Sequence, residues 1–373
     1  MKSMKMWSTG AAGAAMLLAS SALTPSAADT PNITGLQNGT IGFVLTSSAW
    51  GLYQTPDGKA ECPDGFNEGP REQFKALYPN GGTVEGTQLE REAASRYPMD
   101  KEDNFAYREA KGAVGIGMNL DGKVDANDFT SPEGVKGVDN QLYRAIGCTR
   151  LFRGPDGTYA HFTEMWVREM GFNRVLVELT GVDSLENDPQ VNVTLYRGKD
   201  KLITDASGSN IIAGGSNRIE DRFSKRFTKT IKGKIENGVL VTEPADVDWV
   251  WSVFYDHPGY YGIKQARLQL NLAPAGDRAE GMIAGYTTID TFYQQLVRAW
   301  STHHSSYGGL SQPSLYRALH RLADGVPNEK GEMTALSSSI QVKFVQSFIE
   351  HPDAKVAAVE SPATRQAVEP ARR

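Results

Sequence analysis

Residues 265–272 read Gln-Ala-Arg-Leu-Gln-Leu-Asn-Leu, and apolar and polar side chains alternate through the whole stretch. Alternate side chains of a strand lie on opposite faces, so this pattern predicts a β-strand with one face on a core. Shorter apolar alternations occur at 175–179 and 191–195, and turn residues follow at 198–200 and 237–238. Short strands joined by such turns are typical of an antiparallel sandwich.

The pattern changes to a helical period after Gly285. Apolar residues at 289, 292, 293, 296 and 300 form one helical stripe, and a second helix is expected after Ser311, with Pro313 in its first turn. The apolar segment 335–349 fits either a helix or a strand. We therefore predict an α+β chain with an antiparallel β-sandwich-like body and two or three C-terminal helices.

This interpretation divides the chain into five parts. A signal peptide is expected at 1–28, because a basic head with Lys2 and Lys5 precedes an uncharged apolar run and small residues at 26–28. A loop-rich module at 29–157 rich in Gly, Pro, Asp and Asn follows, with short helices predicted at 71–78, 88–96 and 140–146. The β domain spans 158–286, the helical region that packs on it spans 287–352, and a disordered tail is expected at 353–373.

Composition limits the partners. The chain has 39 basic and 44 acidic residues and a net charge of −5, and removal of the signal would make it more negative. An acidic protein is a poor match for nucleic-acid phosphates, so we expect no nucleic-acid partner. No later segment is long and apolar enough for a membrane span, and the predicted location is the periplasm or the secreted medium.

Cys62 and Cys148 are the two cysteines of the chain. In an exported protein a single pair predicts one disulfide, which would bound the loop-rich module. The chain-entropy account gives such a long loop a stabilisation of roughly 4.5 kcal/mol. The alternative is two buried free thiols.

Residues 117–129 read Gly-Met-Asn-Leu-Asp-Gly-Lys-Val-Asp-Ala-Asn-Asp-Phe. Oxygen ligands at alternate positions around a central glycine are what a twelve-residue calcium loop uses. The candidate metal ligands are Asn119, Asp121, Lys123 through its carbonyl, Asp125, Asp128 and, from outside the loop, Asp139. The stretch resembles the calcium loops of EF-hands and dockerin modules, with Val124 at the position that anchors such loops to a core.

The loop departs from that resemblance at its first position. Gly117 stands where a carboxylate is expected, so an acidic residue such as Glu133 or Asp139 would have to enter from outside. The alternative is a run of Asx turns without an ion, since Asp, Asn and Gly favour turns. If calcium binds here, we expect a structural rather than a catalytic role.

Aromatic residues are concentrated in 249–261, beside an Asp256-His257-Pro258-Gly259 loop. Aromatic faces next to Asp and His suit a sugar ring or a flat organic ligand. The candidate ligand-binding residues are Trp251, Tyr255, His257, Tyr260 and Tyr261. The alternative is an aromatic core with a polar turn at its rim.

No strong catalytic motif is present: the sequence has no Gly-x-Ser-x-Gly, no His-Glu-x-x-His and no P-loop. Asp256, His257 and His303 are the candidate acid–base residues. The leading hypothesis is an exported, calcium-associated binding or accessory protein for a glycan or small aromatic molecule. The alternatives are a secreted hydrolase or lyase with dispersed Asp and His residues, and a structural envelope protein.

Overall fold

The computed structural model describes residues 35–67, 75, 78–83, 85–99, 106–154, 157–171, 173–222, 224–251, 259–296 and 311–352. The strands are β1 Thr40–Trp50, β2 Phe129–Thr130, β3 Lys136–Val138, β4 Val175–Thr180, β5 Asp188–Arg197, β6 Gly215–Arg218, β7 Lys229–Glu236, β8 Val239–Thr242, β9 Ala245–Val250, β10 Tyr260–Leu272, β11 Arg278–Thr288, β12 Gly325–Pro327 and β13 Met333–Glu350.

Eight antiparallel strands close into a barrel. The order around the ring is β1-β4-β5-β7-β8-β10-β11-β13, and β13 pairs back onto β1. β9 pairs with β10 beyond β8, so it continues the same position of the ring. The predicted sandwich is therefore wrong: the strands form one sheet closed on itself rather than two stacked sheets.

Side chains fill the barrel, because each strand turns its apolar alternate residues inward. The inward residues include Phe43, Val177, Val193, Leu270 and Phe344, all at most 2% exposed. On the outer surface a second, small cluster of Val44, Leu176 and Ile219 lies under Leu202 and Ile349. Ligand sites on this barrel must therefore lie at its ends or outer surface rather than in its interior.

The two ends of the barrel differ. At the turn end, short connections at 181–187, 237–238 and 273–277 join neighbouring strands. At the opposite end, which we call the loop end, the connections after β1, β5, β9 and β11 are long and carry most of the helices. A rigid scaffold with long connections at one end is where binding residues are usually found.

The helices are short. They are Gln88–Arg96, Gln141–Ile146, Thr158–Met165, Ser224–Phe227, 289–296 and Gln312–Arg321, with a 3₁₀ turn at Arg150–Phe152 and a π-helical stretch at Trp166–Met170. None of the helices in the described ranges combines the length and the apolar character needed to cross a membrane.

The C-terminal region corrects the fold prediction a second time. Two helices are present, at 289–296 and Gln312–Arg321, but β13 occupies the segment that was ambiguous and closes the ring. Ser337, Ser338 and Ser339 are all at most 1% exposed, and their polar run interrupts the apolar alternation that would have identified the strand. At the other boundary, 158–170 is helical, and the β pattern begins only at Val175.

The predicted disulfide is confirmed. The sulfur atoms of Cys62 and Cys148 are 2.06 Å apart, and the bond joins residues separated by 86 positions. Both residues belong to the same apolar core as the barrel interior, through Leu142 and Ile146 of the helix that ends just before Cys148. The disulfide thus fastens the loop-rich segment to the loop end of the barrel.

Candidate functional site

The loop at 117–128 folds as a series of Asx turns. Asn119 accepts a hydrogen bond from the Gly122 N–H at 2.6 Å and donates to the Lys123 carbonyl at 2.7 Å. Asp121 accepts from the Lys123 N–H at 2.8 Å, and Gly122 has a φ of +80°. These bonds use the side chains at the third and fifth positions of the calcium-like pattern to hold the loop's own backbone.

Asp139 comes to the first position of this loop, as the sequence suggested it could. Its backbone pairs with Met118, and its carboxylate accepts a hydrogen bond from the Leu120 N–H at 2.6 Å. Burial raises the pKa of Asp139 to about 6, and repulsion from Asp128 and Asp121 adds to the rise. The fold therefore holds a buried carboxylate beside the two acidic residues of the loop.

The remaining ligand candidates do not converge on one point. Asp128 accepts a hydrogen bond from the Asp125 N–H, and the Lys123 ammonium lies 3.5 Å from Asp121. Among the described residues no three His, Cys, Asp or Glu side chains are placed to hold a metal ion. Val124, expected to anchor the loop, is 64% exposed.

The predicted aromatic ligand residues lie in different environments. Trp251 and Tyr261 are 3% and 1% exposed, and their stacked rings lie 5.4 Å apart in a cluster with Trp50 and Phe292 at the loop end. Their rings pack in the core. Tyr255, Asp256, His257 and His303 fall outside the described residues.

Tyr260, in contrast, lies at the surface. It is half-buried at the first position of β10, and the guanidinium of Arg226 lies 4.5 Å from the centre of its ring. Arg226 belongs to the short helix Ser224–Phe227, which packs against β5 and β9. The ring and the guanidinium mark the edge of a surface cleft.

This β9–β10 cleft has a volume of about 240 Å³. It is lined by residues of β5, the 226–229 segment, β9 and β10: Leu195, Arg226, Phe227, Thr228, Lys229, Asp246, Val247, Asp248, Gly262 and Lys264. Typical ligand pockets are about 300–1,000 Å³, so this one suits a single sugar residue or a molecule of similar size.

Two carboxylates on one face of β9 set the chemistry of the cleft. Asp246 lies 2.8 Å from the ammonium of Lys264, and Asp248 lies 3.7 Å from Arg226. Burial raises the pKa of Asp248, against the opposing effect of Arg226. Burial also acts on Asp246, but hydrogen bonds from Lys264 and Gln265 outweigh it and lower the pKa. The two carboxyls therefore differ in proton affinity.

A β-bulge positions Lys264. The register between β10 and its neighbours shifts after residues 263–264, and Gln265 has a φ of +50°, which side-chain-bearing residues seldom adopt. Asp246 accepts the Gln265 N–H at 3.1 Å and so supports this conformation. Bulges of this kind often lie beside binding sites, where they redirect a side chain.

The sequence carried a local signal for the β9–β10 cleft. In Ala245-Asp-Val-Asp-Trp-Val, carboxylates alternate with apolar residues, which places Asp246 and Asp248 on one outward strand face. Sequence reasoning passed over this pattern in favour of the aromatic run that follows it. The approach of Arg226 had no local signal.

Comparison with known proteins gives no relative: no protein-family model, curated protein or solved structure matches this chain. A barrel fold by itself supports many unrelated functions. Function is therefore argued from the residues of the site.

Proposed function

We propose that this is an exported binding protein that holds a small hydroxylated ligand, such as one sugar residue, in the β9–β10 cleft. The observation that carries this proposal is the meeting of Asp246, Asp248 and Arg226 beside the Tyr260 ring. Carboxylates and a guanidinium offer directed acceptors and donors to hydroxyl groups, and an aromatic ring packs against apolar sugar faces.

Export is the second part of the proposal. The basic, apolar and small-residue segments of 1–28 follow the order of a cleaved secretory signal. The Cys62–Cys148 disulfide is typical of proteins that fold in an oxidising compartment. Expression with the signal intact, followed by N-terminal sequencing of the periplasmic or secreted protein, tests for cleavage near residue 28.

Calorimetric titration with a panel of monosaccharides and small aromatic acids tests the ligand. We expect Asp248→Asn to weaken binding by about tenfold or more, because hydrogen bonds to charged groups contribute about 1.5–3 kcal/mol. Asp277→Asn is the matched control, since Asp277 lies in the turn at the far end of β10. A folded protein that binds no member of the panel contradicts the sugar proposal, as does equal binding by Asp248→Asn.

We further propose that Ca²⁺ binds at the 117–128 loop with Asp139 in place of the carboxylate missing at Gly117. A buried carboxylate repelled by Asp121 and Asp128 would be relieved by a cation. Because the side chains of Asn119 and Asp128 hold the loop backbone, binding would require them to turn toward the ion.

Titration of chelator-treated protein with Ca²⁺ tests this site. We expect heat of binding and a rise in the melting temperature, both lost in Asp139→Asn and retained in the exposed control Asp277→Asn. No heat and no shift at millimolar Ca²⁺ would remove the calcium proposal and leave the series of Asx turns.

A hydrolase is the second candidate function, and the unequal Asp246 and Asp248 carboxyls favour it. A pair whose surroundings move the two pKa values apart can divide the roles of proton donor and anionic partner. Chromogenic aryl glycosides provide the assay. Turnover abolished by Asp248→Asn, with normal folding and retained ligand binding, would establish catalysis, and no turnover by the wild type would leave a binding protein.

A further inference from the structure

Arg174 is fully buried, and one end of its guanidinium has no hydrogen-bond partner. Its Nε donates to the Asp200 carbonyl at 2.8 Å and its Nη1 to the Val167 carbonyl at 2.9 Å. Within the described ranges its Nη2 donates to nothing. A buried cationic donor without an acceptor is costly, so this one points to a group that the protein itself does not supply.

A cleft of about 510 Å³ lies beside this guanidinium, at the rim where β5 leaves the barrel. Two of its lining residues, Gly171 and Gly198, contact Arg174. A Cβ on Gly171 would lie 3.3 Å from Nη2, and a Cβ on Gly198 would lie 2.7 Å from Cγ of Arg174. The two glycines therefore leave only backbone between the cleft and the buried guanidinium.

The surroundings of this cleft are positively charged, although the chain as a whole is acidic. The cations are Arg174 beneath it and Arg197, Lys199, Arg218 and Arg222 in its lining. Their carboxylate neighbours are fewer: Asp200 pairs with Arg218, Glu220 with Arg222, and Asp221 lies 3.7 Å from Lys199.

Arg197 is also withdrawn from solvent. It is 6% exposed, and its guanidinium lies 5.5 Å from the Phe227 ring. Two guanidinium groups held in a low-dielectric rim raise the local positive potential more than exposed side chains would. The rim therefore favours a ligand that carries more than one negative charge.

We propose that this cleft binds a tetrahedral oxyanion, a phosphate or sulfate group, which accepts a hydrogen bond from Nη2 of Arg174. Arg197, Lys199 and Arg222 complete the charge at the rim. Guanidinium groups match phosphate and sulfate oxygens in geometry, and the ligand would pair the donor that the fold leaves unpaired. The cleft is larger than a free ion, so it can also accept such a group attached to a sugar.

The oxyanion cleft and the β9–β10 cleft share no lining residue, so the two proposals fail independently. Calorimetry and thermal melts of the full mature protein with inorganic phosphate, sulfate, glucose 6-phosphate and glucose test the oxyanion. We expect binding of the anions and a raised melting temperature, with no effect of glucose at this cleft. Tighter binding of glucose 6-phosphate than of inorganic phosphate would identify a phosphorylated sugar as the source.

Arg174→Met is the decisive variant. It should weaken anion binding by about tenfold or more, since it removes a donor to a charged acceptor. Without anion it should melt at the wild-type temperature or above, because it removes a buried cation. Unchanged anion binding by folded Arg174→Met overturns the proposal, as does a wild type that binds no anion.

A surface variant keeps the test decisive if Arg174→Met does not fold. Lys199 and Arg222 lie at the solvent side of the rim, and the double variant Lys199→Gln/Arg222→Gln leaves the buried residues intact. It should bind inorganic phosphate several-fold more weakly and with a smaller salt dependence. Arg278→Gln, at the turn end, is the charge-matched control, and equal weakening by Arg278→Gln refutes a local site.

Discussion

Leu45 of β1 and Phe344 of β13 lie directly opposite each other, and their pairing closes the barrel. Both side chains point inward and are 1% and 2% exposed. β11 pairs with the other edge of β13, so one strand joins the first and the last parts of the ring. Packing at this seam holds together segments that are far apart in sequence.

Replacement of Phe344 by Ala should lower the free energy of unfolding by about 3–5 kcal/mol, as expected for a buried Phe that leaves a cavity. Lys343→Ala is the matched control, because Lys343 is the exposed neighbour on the same strand. Urea unfolding measures both. A Phe344→Ala cost close to that of the control would mean that the seam is not packed as described.

Loss of the disulfide should be costly. Because the Cys62–Cys148 bond closes a loop of 86 positions, the Cys62→Ala/Cys148→Ala double variant should lose roughly 2–5 kcal/mol. Reductant should destabilise the wild type by a similar amount and leave the double variant unaffected. Wild-type unfolding that is insensitive to reductant would contradict a structural role for this bond.

Asn140 joins three segments at the loop end. Its side chain accepts the Tyr143 N–H at the start of the helix Gln141–Ile146 and donates to the carbonyls of Gly51 and Ile116. Asn140→Ala should cost about 2–4 kcal/mol, because it removes a helix cap and leaves two buried carbonyls unpaired.

Asn140→Asp separates the two effects. The carboxylate retains the cap acceptor but cannot donate to the carbonyls, so this variant should be at least as destabilised as Asn140→Ala. Asn127→Ala, at an exposed position of the nearby loop, is the control. Full stability of Asn140→Asp in urea unfolding would show that capping is the only contribution.

Asp139 should make stability depend on pH. Its folded pKa of about 6 is above the ordinary value of about 3.9, so the folded state binds the proton more tightly. The stabilisation is full below about pH 4 and is lost as the pH rises through about 6, by at most about 3 kcal/mol.

Urea unfolding in chelator from pH 4 to pH 7 measures this change as a difference between wild type and Asp139→Asn. The difference isolates Asp139 from carboxyls whose pKa is lowered, such as Glu61, which act in the opposite direction. Asp277→Asn serves as the control. Parallel pH curves for wild type and Asp139→Asn would refute the raised pKa.

Local patterns in the sequence predicted the elements that local forces determine. The strand at 265–272, the helix capped by Asn140 and the helix capped by Ser311 with Pro313 in its first turn are all present. In each, an alternation, a capping side chain or a proline acts within a few residues of the element it sets.

Long-range pairing was beyond the sequence. Nothing near β1 indicates that it pairs with β13, and this pairing decides between an open sandwich and a closed ring. The segment 158–170, rich in aromatic and Thr residues, reads as a strand by propensity but packs as a helix. Arg226 and Tyr260 likewise meet only after the barrel has formed.

Closure of the ring by β13 also sets the order of folding. β1 cannot complete its pairing until residues near 340–346 have been synthesised, so contacts of very high sequence separation must form late. Until then β1 and β11 each present an unpaired edge to other chains. A nascent chain that remains extended up to this point is suited to passage through a translocation channel, and chaperone dependence should end abruptly once the thirteenth strand docks.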